Sequence, residues 1–333
     1  MKIAVLSPVA WRTPPLHYGP WEQMASNLTE GLAAKGIDVT LFATADSQTA
    51  GKLSAIVPQA YEEDKNTDAK VSECMHISYL MEQAGKFDII HNHFDFLPLT
   101  YARLIKTPIV TTIHGFSSPQ ILPVYQRYND IVRYVSISNA DRHPTLKYTA
   151  TVYNGIRSGD FRYTQGAESY LLYYGRIHAD KGTHEAIQIA LQSNRQLYIA
   201  GIIQDEAYYN EKVRPYIDND QIRYLGAVGG EERNSLLGRA HALLHPIHFK
   251  EPFGLSVAEA MYCGTPVIAF NKGSMPELIK DGKTGFLTNN VHEAAEAIAD
   301  LRQIDRYHCH LHAKEHFSAE KMVEGYLDVY KNL

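Results

Sequence analysis

Short apolar strands alternate with helical segments along the whole chain, and this alternation constrains the fold more than any other feature. Residues 2–7 form the first predicted strand, residues 22–35 have the apolar spacing of a helix, and residues 38–43 form the next strand. Strands that alternate with helices in this way build a parallel sheet with helices on its faces. The sequence therefore predicts an α/β fold whose ligand binds at the carboxyl ends of the strands.

The alternation occurs twice. A polar segment with two glycines, residues 157–169, separates two similar series of strands and is the best candidate for a domain boundary. Ser318 then opens a last helix as its N-cap. A chain of 333 residues is long enough for two domains. We predict domains at residues 1–158 and 159–316, followed by a terminal helical segment at residues 317–333.

Composition argues against several classes of function. The net charge is −5 and no run of Lys or Arg occurs, so nucleic acid is not an expected partner. The three cysteines, Cys74, Cys263 and Cys309, are dispersed and odd in number, which is typical of a reducing compartment. The first residues resemble a strand rather than a signal peptide, and no stretch approaches the roughly 18 apolar residues of a membrane span. We expect a soluble, cytoplasmic protein, and a peripheral membrane contact stays open.

Two glutamates eight positions apart, Glu251 and Glu259, mark the stretch with the clearest chemical meaning. Pro252 and Gly254 break regular structure, and a helix is predicted from Leu255 onward. A helix N-terminus offers backbone N–H groups to a phosphate, whereas carboxylates accept hydrogen bonds from sugar hydroxyls. The stretch suits a phosphate flanked by polyols, as in a nucleotide sugar, although the pair alone also fits an ordinary loop entering a helix.

Two basic residues follow another predicted strand. Arg176 and Lys181 lie five positions apart in a glycine-flanked loop, and a guanidinium with an ammonium is a common pair for neutralising a diphosphate. A solvated basic loop is the alternative. Neither a P-loop motif nor a well-formed G-x-G-x-x-G occurs, which argues against a P-loop enzyme or a simple dinucleotide site.

Histidines and aromatic residues supply further candidates. Residues predicted to contact an acceptor lie after strand ends and in the aromatic loop before the first helix: His91, His93, Trp11, His17 and Trp21. The alternative for the loop is packing during domain closure. His308, His312 and His316 would share one helix face, where a zinc site can be drawn. Because they lie away from every strand end, we expect a solvated or packing face and no bound metal.

The second half of the chain resembles the C-terminal signature of glycosyltransferase family 4. Four stretches together carry this resemblance: residues 251–259, 264–269, 273–277 and 285–287. Other matching features fall in family order: residues 154–156, His114, Arg176 and Lys181 with their glycines, and the glycine loop before Glu22. The resemblance implies a retaining enzyme of GT-B architecture, with two Rossmann-like domains facing a central cleft. It also implies that the last helix packs back on the N-terminal domain.

The resemblance further implies a metal-independent hexosyltransferase, without a cofactor, that moves a sugar from a UDP- or GDP-sugar to a hydroxyl acceptor. The acceptor is a glycan, a lipid-linked compound or a small molecule. The resemblance also implies a role for each candidate residue. Glu251 would hold hydroxyls of the donor sugar and Glu259 the ribose, while Phe253, Gly254 and Leu255 would offer backbone N–H groups. Arg176 and Lys181 would bind the diphosphate, and His114 would lie near the donor sugar and the acceptor. A nucleotide-sugar epimerase and a non-catalytic binding protein stay as alternatives.

One feature departs from the family pattern. The family usually has two adjacent glycines before its Glu, whereas this chain has Gly19-Pro20-Trp21-Glu22. Pro20 has no N–H, so only Gly19 can offer a backbone donor there.

Overall fold

The computed structural model describes residues 1–16, 18–64, 66–116 and 118–333. The chain divides into two compact units. Unit 1 contains Met1–Gly155 and Ala319–Leu333, and unit 2 contains Ile156–Ser318. Each unit has one parallel β-sheet, which confirms the predicted α/β fold with two Rossmann-like halves.

The sheet of unit 1 has seven strands in the order β3-β2-β1-β4-β5-β6-β7. Their bounds are β1 Lys2–Leu6, β2 Asp38–Phe42, β3 Lys52–Ser54, β4 Ile89–Asn92, β5 Ile109–Ile113, β6 Arg133–Ser136 and β7 Tyr148–Thr151. All neighbouring strands pair in parallel. Strands β1, β4 and β5 are almost entirely buried, as expected for a parallel sheet covered on both faces.

The sheet of unit 2 has six strands in the order β10-β9-β8-β11-β12-β13. Their bounds are β8 Leu171–Tyr174, β9 Leu197–Ala200, β10 Ile222–Gly226, β11 Ala242–His245, β12 Val267–Phe270 and β13 Gly285–Thr288. Strands β8 and β11 are direct neighbours in the sheet. The loops that follow these two strands therefore start side by side at one edge.

Eleven α-helical segments lie in the described part of the chain. They are α1 Pro20–Ala34, α2 Ala69–Met81, α3 Leu122–Tyr128, α4 Thr183–Gln192, α5 Glu206–Tyr208, α6 Gly230–Arg239, α7 Leu255–Tyr262, α8 Met275–Leu278, α9 Val291–Ala297, α10 Arg306–Phe317 and α11 Ala319–Lys331. None of these helices has the length and apolarity that crossing a membrane requires.

Helix α11 packs on α1 in unit 1, as predicted for the last helix. Gly31 of α1 faces Val323 of α11, and a β-carbon at position 31 would overlap with that valine side chain. Met322, Val323 and Tyr326 are buried. The small residue on α1 lets the two helices approach closely, so the apolar face of α11 becomes part of unit 1.

Helix α1 begins at Pro20, two residues before the predicted start at position 22. Gly19 is its N-cap with φ of 148°, and Pro20 occupies the first turn, where its missing N–H removes no helical hydrogen bond. The proline that departs from the family pattern is thus compatible with the helix. Trp21 consequently lies in α1 and not in the preceding loop.

Candidate active site

Lys181 and Glu251 form the centre of the candidate site in unit 2. Lys181 ends a short turn after β8, and Glu251 follows β11, the neighbouring strand. Gly182 has φ of 71°, and a β-carbon there would overlap with the Pro246 carbonyl oxygen. This close backbone approach lets Lys181 Nζ reach 2.6 Å from Glu251 Oε2. Side chains predicted from separate motifs are therefore in direct contact.

The environment keeps Glu251 ionised. Burial alone would raise the pKa of Glu251, but its contact with His245 and the charge of Lys181 outweigh burial and lower the pKa to about 2. His245 Nε2 lies 3.5 Å from Glu251 Oε2. Burial lowers the pKa of His245, so its imidazole is neutral at pH 7. Lys181 Nζ also lies 4.5 Å from the centroid of the Phe249 ring. Glu251 can therefore only accept hydrogen bonds.

The start of α7 lies next to this ion pair. Gly254 is the N-cap in the left-handed conformation, with φ of 90°, and a β-carbon there would lie 3.6 Å from Glu251 Cγ. The Ser274 backbone N–H donates to the Glu251 carbonyl at 3.0 Å, and Ser274 Oγ donates to the Phe253 carbonyl at 2.7 Å. The loop before α7 is thus held by the segment after β12. The backbone N–H donors of a helix start, including that of Leu255, lie beside a fixed carboxylate.

Arg176 directly follows β8 and Gly175. Its guanidinium donates a hydrogen bond to Gln204 Oε1. Gly201, which follows β9, approaches the Gly175 carbonyl so closely that a β-carbon would overlap with it. The two strand ends are therefore packed against each other, and Arg176 extends from this edge of the sheet of unit 2.

Glu259 lies on α7 and is half-buried. Burial raises the pKa of Glu259 to about 7, an effect that the charge of Arg233 opposes and the charge of Asp160 adds to. Arg233 lies on α6 with its guanidinium carbon 4.6 Å from the centroid of the Phe161 ring. Near neutral pH, Glu259 changes between a hydrogen-bond acceptor and a donor, and either form can bind a hydroxyl.

Unit 1 contains a cluster of three histidines at the ends of two central strands: His91 lies in β4, His93 follows β4, and His114 follows β5. Nδ1 of His93 lies 2.9 Å from Nε2 of His114. His91 contacts Tyr330 Oη of α11 at 2.5 Å through Nδ1, and Thr112 Oγ1 at 2.8 Å through Nε2. Burial lowers the pKa of all three imidazoles, to about 3 for His91 and His114 and well below 6.5 for His93. The cluster is therefore neutral at pH 7.

The three histidines differ in how much of their surface is exposed. His91 and His93 have no exposed surface, whereas His114 is half-buried. An acceptor cannot reach either of the first two rings in this structure, because both are enclosed by the protein, His91 also by helix α11. The prediction of acceptor contact used only the position of these histidines near a strand end. It could not include helix α11, which contacts His91 in the folded protein. Of these three histidines, His114 is the one with exposed surface.

Two of the residues predicted to contact an acceptor, Trp11 and Trp21, contact other residues of unit 1. Trp21 stacks on His114 with ring centroids 5.7 Å apart and an interplanar angle of 22°. The Trp11 backbone N–H donates to Glu22 Oε1 at 3.2 Å, and the Trp11 ring meets Tyr18 edge-on. His17, also predicted to contact an acceptor, lies outside the described residues.

The histidines near the end of unit 2 contact protein groups. His310 Nδ1 lies 2.5 Å from the Tyr262 carbonyl, and His312 Nε2 lies 2.8 Å from the Leu278 carbonyl. The His316 ring packs against His312 and Phe317. In the described ranges, no three His, Cys, Asp or Glu side chains are grouped in a way that could hold a metal ion.

Sequence patterns missed two residues of the site in unit 2. His245 ends β11 and could have been found as a polar residue at a strand end, like the histidines of unit 1. Arg233 lies in α6, where no motif marks it, and only the packing of α6 beside α7 brings its charge to Glu259.

The chain is similar to known glycosyltransferases over both units. The family described as glycosyl transferases group 1 matches residues 163–312, and the family described as Glycosyltransferase Family 4 matches residues 22–156. Glycogen synthase of Mycobacterium tuberculosis is 26% identical over 83% of this chain and 80% of its own length. The two matches together leave out β1 at the start of unit 1 and helix α11 at its end.

Solved structures share the fold. AviGT4, a glycosyltransferase involved in avilamycin A biosynthesis, aligns with a TM-score of 0.74 at 24% identity over 100% of this chain and 98% of its own. Anabaena Alr3699/HepE in complex with UDP aligns with a TM-score of 0.78 at 18% identity over the whole of both chains. The predicted GT-B fold and hexosyltransferase class are confirmed, and the chain belongs to glycosyltransferase family 4.

Proposed function

We propose that this glycosyltransferase moves a sugar from a nucleotide diphosphate sugar to a hydroxyl acceptor, with retention of anomeric configuration and without a metal ion. Retention follows the family resemblance. The single observation that carries the proposal is the Lys181–Glu251 pair, at 2.6 Å, beside the start of α7.

The pair suits a ligand with a diphosphate next to a sugar. A diphosphate is a stronger partner for an ammonium than a single carboxylate, because it carries more negative charge. When Lys181 turns to the diphosphate, the ionised Glu251 is left to accept hydrogen bonds from sugar hydroxyls. Backbone N–H groups of Phe253, Gly254 and Leu255 at the helix start add donors for the same ligand.

Arg176 supplies a second positive charge from the same sheet edge. Its contact with Gln204 is a neutral hydrogen bond, which a phosphate oxygen can replace with a charge-assisted one. The two cations stabilise negative charge that develops on the departing diphosphate, which is the task a metal ion performs in other transferases. Glu259, with Arg233 nearby, binds the ribose hydroxyls in this proposal. Gly19 offers its backbone N–H at the start of α1.

The donor base is proposed as uracil or guanine, and the complex of Alr3699/HepE with UDP supports uridine diphosphate sugars as the first donors to test. The acceptor is a glycan, a lipid-linked compound at a membrane surface or a small molecule. The dispersed cysteines support a reducing, cytoplasmic location. No observation favours an epimerase or a non-catalytic binding protein.

Release of nucleoside diphosphate tests the proposal. The protein is incubated with UDP-, GDP- and ADP-sugars, each with and without a panel of monosaccharide, glycan and lipid-linked acceptors. Acceptor-dependent release with a new glycoside of retained configuration supports transfer. Conversion of one nucleotide sugar into another would instead establish an epimerase, and binding in a thermal-shift assay without turnover on any acceptor would contradict both enzymes.

A further inference from the structure

His93 and His114 are joined by a contact whose direction determines what His114 can do. Nδ1 of His93 and Nε2 of His114 are 2.9 Å apart, a hydrogen-bond distance. Both imidazoles are neutral at pH 7, so each has one N–H and one bare nitrogen. Either His93 donates to His114, or His114 donates to His93. The two arrangements leave opposite protonation on the second nitrogen of His114.

The other nitrogen of His93 favours one direction. His93 is completely buried, and its Nε2 has no hydrogen-bond partner. If His93 accepted at Nδ1, its proton would be on Nε2, as a buried N–H without an acceptor. Orphaned N–H groups are the rarer defect in protein interiors, whereas an unfilled acceptor is better tolerated. The proton of His93 therefore belongs on Nδ1, where it can be donated to His114.

Packing prevents the two rings from turning away from this contact. The His91 ring stacks on His93 with centroids 4.4 Å apart and an interplanar angle of 27°, and the two nitrogens of His91 contact Tyr330 and Thr112. Trp21 stacks on His114. The imidazole of His93 is thus enclosed on one side by a ring that is itself fixed, and the plane of His114 is set by an indole.

We propose that His93 is a positioning residue that donates from Nδ1 to Nε2 of His114 and so keeps the proton of His114 on Nδ1. This inference rests on the proposed function, in which His114 lies near the donor sugar and the acceptor. His114 then meets the substrate with a neutral N–H donor, which can bind a hydroxyl or leaving-group oxygen. It does not offer a bare nitrogen that would remove a proton from the acceptor.

The tautomer of His114 can be read directly from the wild-type protein. Long-range proton–nitrogen correlation spectra of histidine-labelled protein distinguish a protonated from a bare ring nitrogen, and loss of a signal set in His114→Gln assigns the residue. We expect Nδ1 of His114 to be protonated and Nε2 to be bare. A protonated Nε2 overturns the proposal. The spectrum requires no activity, so failure of the proposed function and failure of this inference are separate results.

Variants then connect the tautomer with turnover. His93→Phe keeps a flat ring but has no N–H, so we expect the proton of His114 to shift toward Nε2 and kcat to fall about tenfold, with donor KM changed less than about threefold. His93→Asn, whose amide N–H can replace Nδ1–H, should restore the tautomer and part of kcat. Thr112→Val is the matched control, because it removes a hydroxyl of the same cluster but leaves the His93–His114 contact intact. An unchanged His114 tautomer in His93→Phe, or equal losses in Thr112→Val, would contradict the positioning role.

Discussion

The ammonium of Lys181 and the carboxylate of Glu251 are in contact at 2.6 Å, although 70 positions separate them in the chain. Lys181 keeps 16% and Glu251 12% of its side-chain surface exposed. A partly desolvated ion pair interacts more strongly than one at the surface. The same cation is therefore needed by the unliganded protein and, in the proposed function, by the diphosphate.

Replacing Lys181 tests both uses. Lys181→Ala should lower turnover at least about tenfold, or ~1.4 kcal/mol of barrier, because one cation of the diphosphate site is lost. The variant should also lose about 3 kcal/mol of unfolding free energy, since Glu251 is left ionised without its partner. Turnover and urea unfolding are the measurements. Lys52→Ala is the control: its pair with Asp38 is well exposed, so both quantities should change little. Unchanged turnover in Lys181→Ala would remove Lys181 from the diphosphate role.

Glu22 provides a prediction on pH. Burial is the main cause that raises the pKa of Glu22 to about 7, despite opposing hydrogen bonds from the backbone N–H groups of Glu22 and Trp11. Because the pKa of Glu22 is higher in the folded than in the unfolded protein, protonation of Glu22 stabilises the folded state. This stabilisation is full at low pH and is lost as pH rises through about 7. The unfolding free energy of Glu22→Gln minus that of wild type should therefore increase from pH 5 to pH 8, by about 3 kcal/mol at most. Glu324→Gln on the exposed face of α11 is the reference variant, and a difference between Glu22→Gln and wild type that is constant over this range would refute the burial argument.

The buried histidines predict acid sensitivity. Burial is the main cause that lowers the pKa of four imidazoles: His76, His91, His93 and His114. The unfolded chain binds protons at these residues below a pKa of about 6.5 while the folded protein does not, so stability is lost as pH falls below that value. Glu22 and Glu259 act in the opposite direction between pH 7 and 4.5. These four imidazoles and two carboxyls alone leave about two protons taken up on unfolding, or ~2.7 kcal/mol lost per pH unit between pH 6 and 5. Burial also lowers the pKa of His241, His245 and His312, which adds to the loss, and raises the pKa of Glu73, which opposes it. Urea unfolding at half-unit pH steps measures the slope, and stability that is flat or rises toward pH 5 would contradict this balance.

Gly182 should matter more than an ordinary glycine of the same conformation. Gly182→Ala introduces a β-carbon into the Pro246 carbonyl, so the turn that carries Lys181 must move away from Glu251. We expect a large loss of turnover together with lower stability. Gly36→Ala is the matched control, since Gly36 has φ of 74° but open space around its missing β-carbon. It should cost about 1–2 kcal/mol of stability and leave turnover intact. Equal losses of turnover in the two variants would show that the backbone contact is not what positions Lys181.

Metal removal tests how the charge of the donor is neutralised. If Lys181 and Arg176 perform this task, treatment with a chelator should leave nucleoside diphosphate release unchanged. Release is compared before and after chelation, and again after Mg²⁺ or Mn²⁺ is added back. A loss that either metal restores would show that the two cations are insufficient.

Sequence patterns predicted the parts of the fold that depend on local spacing. The alternation of strands and helices indicated two parallel sheets, and the loops after β8 and β11 were recognised as carriers of Lys181 and Glu251. Their contact depends on the strand order, in which β11 lies directly beside β8 although β9 and β10 intervene in the chain. No local pattern encodes that order.

Burial from distant elements is the part that sequence patterns could not supply. His91 and His93 resemble exposed strand-end residues in the sequence, yet Tyr330, 239 positions after His91, contacts its ring. Arg233 acts on Glu259 through the packing of two helices. In both cases the decisive neighbour is far away in the chain, and its effect on exposure and charge arises only when tertiary structure forms.

Unit 1 is interrupted in the sequence by the whole of unit 2, and this order has a consequence for synthesis on the ribosome. Helix α11, which closes over β4 and supplies the partner of His91, is translated only after residues 156–318. At roughly 5–20 residues per second, the rest of unit 1 waits about 10–30 s for its last helix. During that interval the nascent chain exposes the apolar surface that Met322, Val323 and Tyr326 later cover, whereas unit 2 is continuous and can fold first. His91 is therefore among the last residues of the protein to reach its final environment.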